Sequence, residues 1–208
     1  MQTTFEYYMS LPLWEIVAVI ASLMYVVLAA RESIWCWPAA LVSTIIYAVI
    51  FYDVYLWMDG LLQVYYFGMA IYGWMCWRQS VNKDTLVIQQ WSSVWHVKAL
   101  FLLSLVSLAI GWLMANYTPT HFPYIDAATT VFSVFATYLV AQKVLENWLY
   151  WIVIDAVSIY LYLAKDLTPT AMLFVLYVFM ASYGYYQWLK RYKADGKNLM
   201  NDSLPSSR

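Results

Sequence analysis

Residues 147–164 read NWLYWIVIDAVSIYLYLA, and this stretch decides the class of the fold. Its 18 residues contain one charged side chain, Asp155. An α-helix rises about 1.5 Å per residue, so a helix of this length approaches the ~30 Å hydrocarbon core of a bilayer. Charged residues bound the stretch on both sides, with Glu146 before it and Lys165 after it. The stretch therefore predicts a transmembrane helix.

Comparable apolar stretches recur along the whole chain. Of its 208 residues, 64% are hydrophobic and 11% are charged, whereas a soluble domain has roughly half apolar and about a quarter charged residues. The chain is therefore predicted to be an all-α integral membrane protein. The seven predicted transmembrane helices are Leu13–Ala30, Ile34–Tyr52, Gly60–Trp77, Ala99–Ala115, Tyr124–Ala141, Asn147–Ala164 and Leu167–Leu189.

Two polar segments lie outside these helices. The connection Gln79–Lys98 contains Trp91, Val94 and Trp95, which predicts a short interfacial helix. After Leu189 the chain is rich in Lys, Asp, Asn and Ser, which predicts a disordered tail over residues 190–208. Residues 1–208 then form one membrane domain, with a first repeat at 13–77, a linker helix at 99–115 and a second repeat at 124–189.

The basic residues are divided very unequally between the two membrane faces. One face would receive the loops after the second, fourth and sixth helices, and it holds one basic residue, Lys165. The opposite face holds the other ten of the 11: Arg31, Arg78, Lys83, Lys98, Lys143, Lys190, Arg191, Lys193, Lys197 and Arg208. The positive-inside rule predicts that this basic face is cytoplasmic and that the N-terminus is outside. We expect a multi-pass protein of a bacterial inner membrane.

The sequence contains an internal repeat. A shift of 111 residues (133 − 22) aligns the first three helices on the last three without gaps. The aligned pairs include Ser22 with Ser133, Trp37 with Trp148, Tyr66 with Tyr177, Tyr72-Gly73 with Tyr183-Gly184, and Trp77 with Trp188. Three helices carry the chain across the membrane and the fourth returns it, so the repeats are parallel. Parallel repeats around a midplane site are typical of transporters.

One face of the sixth helix carries several polar and aromatic side chains. Their spacing of i, i+3, i+7, i+10 and i+14 places on that face Trp148, Trp151, Asp155, Ser158 and Tyr162. Indole rings and a carboxylate together suit a flat cationic ligand. Alternatively, the tryptophans form an interfacial belt, and Asp155 makes a hydrogen bond between helices.

Other helices offer candidate residues that would face this surface. The third helix contributes Gln63 and Tyr66, and the second contributes Ser43 and Tyr47. Tyr177, which aligns with Tyr66, completes the predicted substrate site. Boundary positions favour a role in an interfacial belt or in packing for five further tryptophans, Trp35, Trp37, Trp57, Trp77 and Trp188.

Several functional classes lack a sequence signal. Cys36 and Cys76 fit no metal or redox spacing and are expected to pack, and His96 and His121 are expected to be solvated loop residues. The net charge of −1 excludes a broad basic surface for nucleic acid. We find no nucleophile motif, metal-ligand set or phosphate-binding loop. An enzyme, an ATP-driven motor and a cofactor are therefore not expected.

Three segments carry a resemblance to a known family. They are residues 59–67 (DGLLQVYYF), 71–77 (IYGWMCW) and 146–155 (ENWLYWIVID). Over nearly its whole length the chain resembles the Pnu vitamin transporters, which are the PnuC nicotinamide riboside transporters and their thiamine-transporting PnuT relatives. The resemblance implies a three-plus-one-plus-three helix fold like that of a full-length SWEET sugar transporter. It also implies a homotrimer, facilitated diffusion without ion coupling, and trapping of the vitamin by a cytoplasmic kinase.

The departures from the family pattern concern the substrate. Nicotinamide riboside transporters of the family commonly have Asn at the positions of Asp155 and Ala70, and another near Ser43. The resemblance therefore favours thiamine, which offers N–H donors and a cationic ring to a carboxylate. Nicotinamide riboside, also a flat cation, is the alternative. An ion-coupled carrier in which Asp155 binds a proton, and a structural or sensory bundle without transport, are further alternatives.

Overall fold

The computed structural model describes residues 13–53, 57–79 and 86–202, and all regular secondary structure within them is helical apart from one β-bridge between Gln89 and Val144. Seven helices follow one another along the chain. They are α1 (Leu13–Ala30), α2 (Cys36–Asp53), α3 (Trp57–Gln79), α4 (Ser93–Tyr117), α5 (Pro123–Ala141), α6 (Asn147–Ala164) and α7 (Thr168–Asp202).

The seven predicted helices are confirmed. The predicted bounds of α1 and α6 coincide with the observed bounds, and those of α2, α3 and α5 are close to them. By length and composition, α1, α4, α5 and α6 are each able to cross a bilayer, and α2 contributes a shorter apolar stretch over Cys36–Ile50. Long apolar runs fix these helices, because their backbone polar groups must be satisfied internally in lipid.

Two helix ends differ from the prediction. Helix α4 begins at Ser93, because the Ser92 side chain accepts a hydrogen bond from the Trp95 N–H at 3.3 Å and caps the helix. Residues 86–92 form no separate interfacial helix, and 80–85 lie outside the described residues. Helix α7 continues through Lys190 to Asp202, where we expected a disordered tail. Leu, Lys, Arg and Ala are good helix formers, so polarity alone does not end a helix. The part of the predicted tail after 202 is not described.

Six of the helices form a closed ring. Neighbours around the ring are α1, α2, α3, α5, α6 and α7, and α7 packs back against α1. Helix α4 lies outside the ring and packs mainly on α5. This order places α2 opposite α6 and makes α1·α7 and α3·α5 the two contacts between the repeats. Each repeat therefore contributes three neighbouring helices to the ring.

Three helices end in the same turn. After α1, α5 and α6, the chain adopts positive φ at Glu32 (54°), Lys143 (52°) and Asp166 (57°). At each turn the N–H of this residue and of the next one bond back to carbonyls of the last helical turn, which is the Schellman pattern. Glu32 and Lys143 are 111 positions apart, so the repeat extends to this detail of the backbone.

Candidate functional site

The buried face of α6 carries the polar residues at mid-height of the ring. Asp155, the ninth of the 18 residues of α6, is 4% exposed and lies near Ser158, which is 5% exposed. The opposite, outward face exposes apolar side chains: Leu149, Val153, Val157, Tyr160 and Leu163. The predicted polar face of α6 is thus turned towards the protein rather than lipid.

The Asp155 carboxylate is an unusual buried group. Within the described ranges, no hydrogen bond or ion pair reaches it from another residue, so the structure offers no support for the alternative in which it bonds to a neighbouring helix. A buried carboxylate without a partner is costly, and such groups inside membrane proteins mark substrate or ion sites. Asp155 is therefore the strongest candidate for a ligand-binding group.

Helix α2 presents hydroxyl groups on the other side of the ring. Ser43 and Thr44 are buried, and Thr44 occupies the position equivalent to Asp155 (155 − 44 = 111). The Ser43 hydroxyl donates to the Ala18 carbonyl of α1 at 3.3 Å. Thr44 donates to carbonyls of its own helix. Tyr47 is half-buried one turn further along α2. The predicted α2 residues thus belong to the buried part of the ring.

The predicted site tyrosines connect the two repeats. The Tyr177 hydroxyl of α7 and the Ser22 hydroxyl of α1 are 2.9 Å apart. The side chains of the equivalent pair, Tyr66 of α3 and Ser133 of α5, also interact. The two pairs lie at the two contacts between the repeats. Gln63, on α3, is half-buried.

Tyr162 belongs to a separate aromatic contact. It stacks on Phe174 of α7 with ring centroids 5.1 Å apart, and Phe174 contacts Tyr177 at 5.8 Å. The ring of Tyr162 is therefore linked through Phe174 to one of the bonds between the repeats.

Four tryptophans converge where the basic loops lie, and we call this cluster the tryptophan plug. Its members are Trp37, Trp77, Trp148 and Trp188. Trp37 contacts Trp77 edge-on at 5.3 Å, and the equivalent pair of Trp148 and Trp188 repeats this geometry at 5.5 Å. Trp77 and Trp188 meet at 6.4 Å between the repeats.

The plug changes the interpretation of these tryptophans. Of the two predicted roles, Trp37, Trp77 and Trp188 have the packing role and form no interfacial belt, because all three are at most 4% exposed. Trp148, which we expected to stack on a substrate, packs against Trp188 and Gly184. Trp151 is half-buried against the same cluster. The Trp35 side chain is 65% exposed, and Trp57 lies among side chains that the structure does not describe.

Sequence reasoning missed a charged cluster beside the plug. The Glu32 carboxylate accepts hydrogen bonds from Lys143 Nζ and Arg191 Nη1, each at 3.0 Å. Lys143 Nζ also lies 4.8 Å from the centroid of the Trp77 ring. The signal was available, because the 111-residue offset pairs Glu32 with Lys143, two opposite charges.

The histidines and cysteines do not form a metal centre. His96 was predicted in a solvated loop, but it lies in α4, with Nδ1 3.0 Å from the Tyr150 hydroxyl and Nε2 3.6 Å from Glu146. His121 is exposed in the α4–α5 connection. Cys36 is buried, as a packing role requires, and Cys76 is half-buried. No group of three metal-ligating side chains occurs in the part of the chain that the structure describes.

Comparison with known families decides the class of protein. A sequence profile described as nicotinamide mononucleotide transporter matches residues 12–190. The chain belongs to this family. The nicotinamide riboside transporter PnuC of Escherichia coli (strain K12) is 25% identical over 215 residues, which cover 90% of this chain and 89% of that protein. The riboflavin/roseoflavin transporter RibM of Streptomyces davaonensis is 25% identical over 190 residues, which cover 89% of this chain and 89% of that protein.

A solved structure shares the fold. The crystal structure of the vitamin B3 transporter PnuC matches with a TM-score of 0.65 at 21% identity, and the match covers 86% of this chain and 81% of that chain. The Pnu family inferred from three sequence segments is thereby confirmed. The chain is a multi-pass membrane protein of a bacterial transporter family, and its relatives are transporters rather than enzymes.

Proposed function

We propose that this PnuC-family chain transports nicotinamide riboside, with Asp155 as the central substrate-binding group. The names of the similar proteins favour nicotinamide riboside over thiamine, which the residue at position 155 had suggested. The single observation that carries the proposal for the site is the buried Asp155 carboxylate at mid-height of the ring, which has no hydrogen-bond or ion-pair partner among the described residues. A carboxylate there attracts the pyridinium and accepts hydrogen bonds from the carboxamide or ribose.

The surrounding residues complete the proposed site. Asp155 and Ser158 would contact the polar edge of the substrate from α6, and Ser43 and Tyr47 would face them from α2. Gln63, Tyr66, Tyr162 and Tyr177 are the remaining proposed contacts, together with Trp148 and Trp151 towards the plug. Tyr66 and Tyr177 are proposed to close the site laterally, because each interacts with a serine of the other repeat.

Binding measurements on the purified protein test the substrate and the site together. Nicotinamide riboside, thiamine and riboflavin are compared by calorimetry on the wild type, on Asp155→Asn and on Asp166→Asn. The control removes a charge from the end of the same helix, ~16 Å away along its axis. We expect nicotinamide riboside to bind the wild type and Asp166→Asn alike, and Asp155→Asn about tenfold or more weakly.

Each other outcome has a defined meaning. Unchanged binding by Asp155→Asn would remove Asp155 from the site. Tighter binding of thiamine would keep the family and replace the substrate, in agreement with the carboxylate at position 155. Failure of all three vitamins to bind would overturn the substrate proposal.

We further propose facilitated diffusion across the cytoplasmic membrane, with the N-terminus outside and the basic loops in the cytoplasm. The 1-to-10 division of basic residues supports this orientation. In proteoliposomes, uptake should then stop at equal concentrations even when a proton gradient is imposed. Accumulation that follows the gradient, and that Asp155→Asn abolishes without loss of exchange, would instead identify a proton-coupled carrier.

Two expectations concern other molecules. If transport is passive, net uptake by cells depends on a cytoplasmic kinase that phosphorylates the vitamin, and deletion of that activity should abolish accumulation but not exchange. We also propose a homotrimer, as the family resemblance implies. Light scattering of the detergent-purified protein tests it, and a monomeric mass would contradict it.

A further inference from the structure

Glu32 links three parts of the ring at its basic end. The carboxylate lies in the α1–α2 turn and is 10% exposed, Lys143 lies in the α5–α6 turn and is 12% exposed, and Arg191 projects from α7. We call these three residues the clamp. Both ion pairs join the first repeat to the second. Because Glu32 and Lys143 are largely shielded from water, their attraction is screened less than that of a surface pair.

The tryptophan plug lies directly beside the clamp, and two of its indoles make hydrogen bonds from one repeat to the other. The Trp77 indole N–H donates to the Ala141 carbonyl at 3.1 Å, and the Trp188 indole N–H donates to the Ala29 carbonyl at 3.0 Å. Ala29 lies in the last turn of α1 and Ala141 ends α5, and these helices lead into the Glu32 and Lys143 turns. The four indoles fill the space between the repeats at this level of the ring.

The backbone at the clamp is one that glycine adopts more readily. Glu32 and Lys143 occupy the left-handed position of a Schellman turn, where a residue with a side chain is disfavoured. The ion pair between Glu32 and Lys143 offsets this unfavourable backbone conformation, because the two equivalent turns bring opposite charges together across the boundary between the repeats. Strained residues of this kind are characteristic of switch regions.

The plug also contains groups that favour its opening. The indole N–H groups of Trp37 and Trp148, at equivalent repeat positions, are buried and have no hydrogen-bond partner among the described residues. Each unpaired donor disfavours the closed arrangement, and water reaching an open plug would satisfy both. The clamp therefore stabilises the closed arrangement of the plug, whereas the unpaired N–H groups destabilise it.

We propose that the clamp and the tryptophan plug form the closed inner gate of the transport path, which opens when the repeats separate at their basic end. The inference rests on the proposed function, because a gate presupposes a path through the ring. Substrate held near Asp155 would leave on this side after Glu32 releases Lys143 and Arg191 and the four indoles part.

Cys36 provides a reporter within the chain. Its thiol is fully buried next to Trp37, and the only other cysteine is Cys76. In a Cys76→Ala background, a membrane-impermeant maleimide added to inside-out vesicles should label Cys36 slowly. With Glu32→Gly or Lys143→Gly, labelling should be about fivefold faster or more. Glycine keeps the turn and removes the charge.

Asp166→Gly is the matched control, because Asp166 occupies the same kind of turn after α6 but makes no ion pair among the described residues. Its labelling rate should equal that of the background. Size-exclusion profiles verify folding, and Lys143→Met replaces any glycine variant that fails this check. Equal labelling of folded clamp variants and control would overturn the gate, as would faster labelling only from the opposite membrane face.

The labelling assay tests the proposed gate independently of the proposed substrate. No vitamin is present, so faster labelling in the clamp variants would support the gate even if nicotinamide riboside does not bind. Conversely, binding of nicotinamide riboside with unchanged labelling would retain the proposed function and reject this gate.

Discussion

Single glycines determine how closely the plug tryptophans approach the helix backbone. A Cβ atom at Gly184 would lie 2.7 Å from ring carbons of Trp148, and one at Gly73 would overlap the ring of Trp37. Gly68, in the same helix as Gly73, has no atom within 4 Å of the position where its Cβ would be. Gly73 and Gly184 are therefore required by the packed rings, whereas Gly68 is not.

Alanine substitutions test this difference. Gly184→Ala should lower the free energy of unfolding by about 1–3 kcal/mol, because a rigid indole must move. Gly68→Ala should be neutral or raise stability by up to ~1 kcal/mol, because alanine favours a helix. Thermal unfolding in detergent measures both. A Gly184→Ala variant as stable as Gly68→Ala would show that the plug is loosely packed.

Three helices are followed by a non-glycine residue at positive φ, a backbone conformation that a side chain disfavours. Asp166 ends α6 with φ of 57° and has an exposed side chain. Asp166→Gly should raise the free energy of unfolding by about 0.5–1 kcal/mol, since glycine adopts this conformation without a Cβ clash. Asp166→Val should lower it, because a β-branched residue is particularly disfavoured at positive φ. If thermal unfolding shows the opposite order, the turn is not a Schellman motif in solution.

At the same scale, the sequence predicted some elements better than others for physical reasons. Apolar runs must be helical in lipid, so the bounds of α1 and α6 were predicted correctly. Polar helix turns outside the lipid leave no such signal, so the start of α4 and the end of α7 were missed. Helical periodicity placed Asp155 on the buried face, but it does not tell which neighbour a face meets. Trp148 was therefore assigned to a substrate rather than to Trp188.

The whole molecule is organised by an approximate two-fold relation between its repeats. The same offset relates the turns at Glu32 and Lys143, the pairs Trp37–Trp77 and Trp148–Trp188, and the interacting pairs Ser22–Tyr177 and Ser133–Tyr66. The relation is broken at mid-height, where Thr44 stands opposite Asp155. Among the described residues, the buried faces of α2 and α6 therefore carry one carboxylate rather than two, and the proposed site suits one substrate molecule at a time.

The two-fold relation predicts matched effects of distant substitutions. Trp77→Phe and Trp188→Phe each remove one indole hydrogen bond to the other repeat, that of Trp77 to the Ala141 carbonyl and that of Trp188 to the Ala29 carbonyl. Each should lower the free energy of unfolding by about 0.5–1.5 kcal/mol, the net contribution of one intramolecular hydrogen bond. Trp112→Phe, on the exposed face of α4, is the control and should have little effect. Thermal unfolding compares the three variants. If only one plug variant were destabilised, the two interfaces would not be equivalent, and the repeats would be held together mainly on one side of the ring.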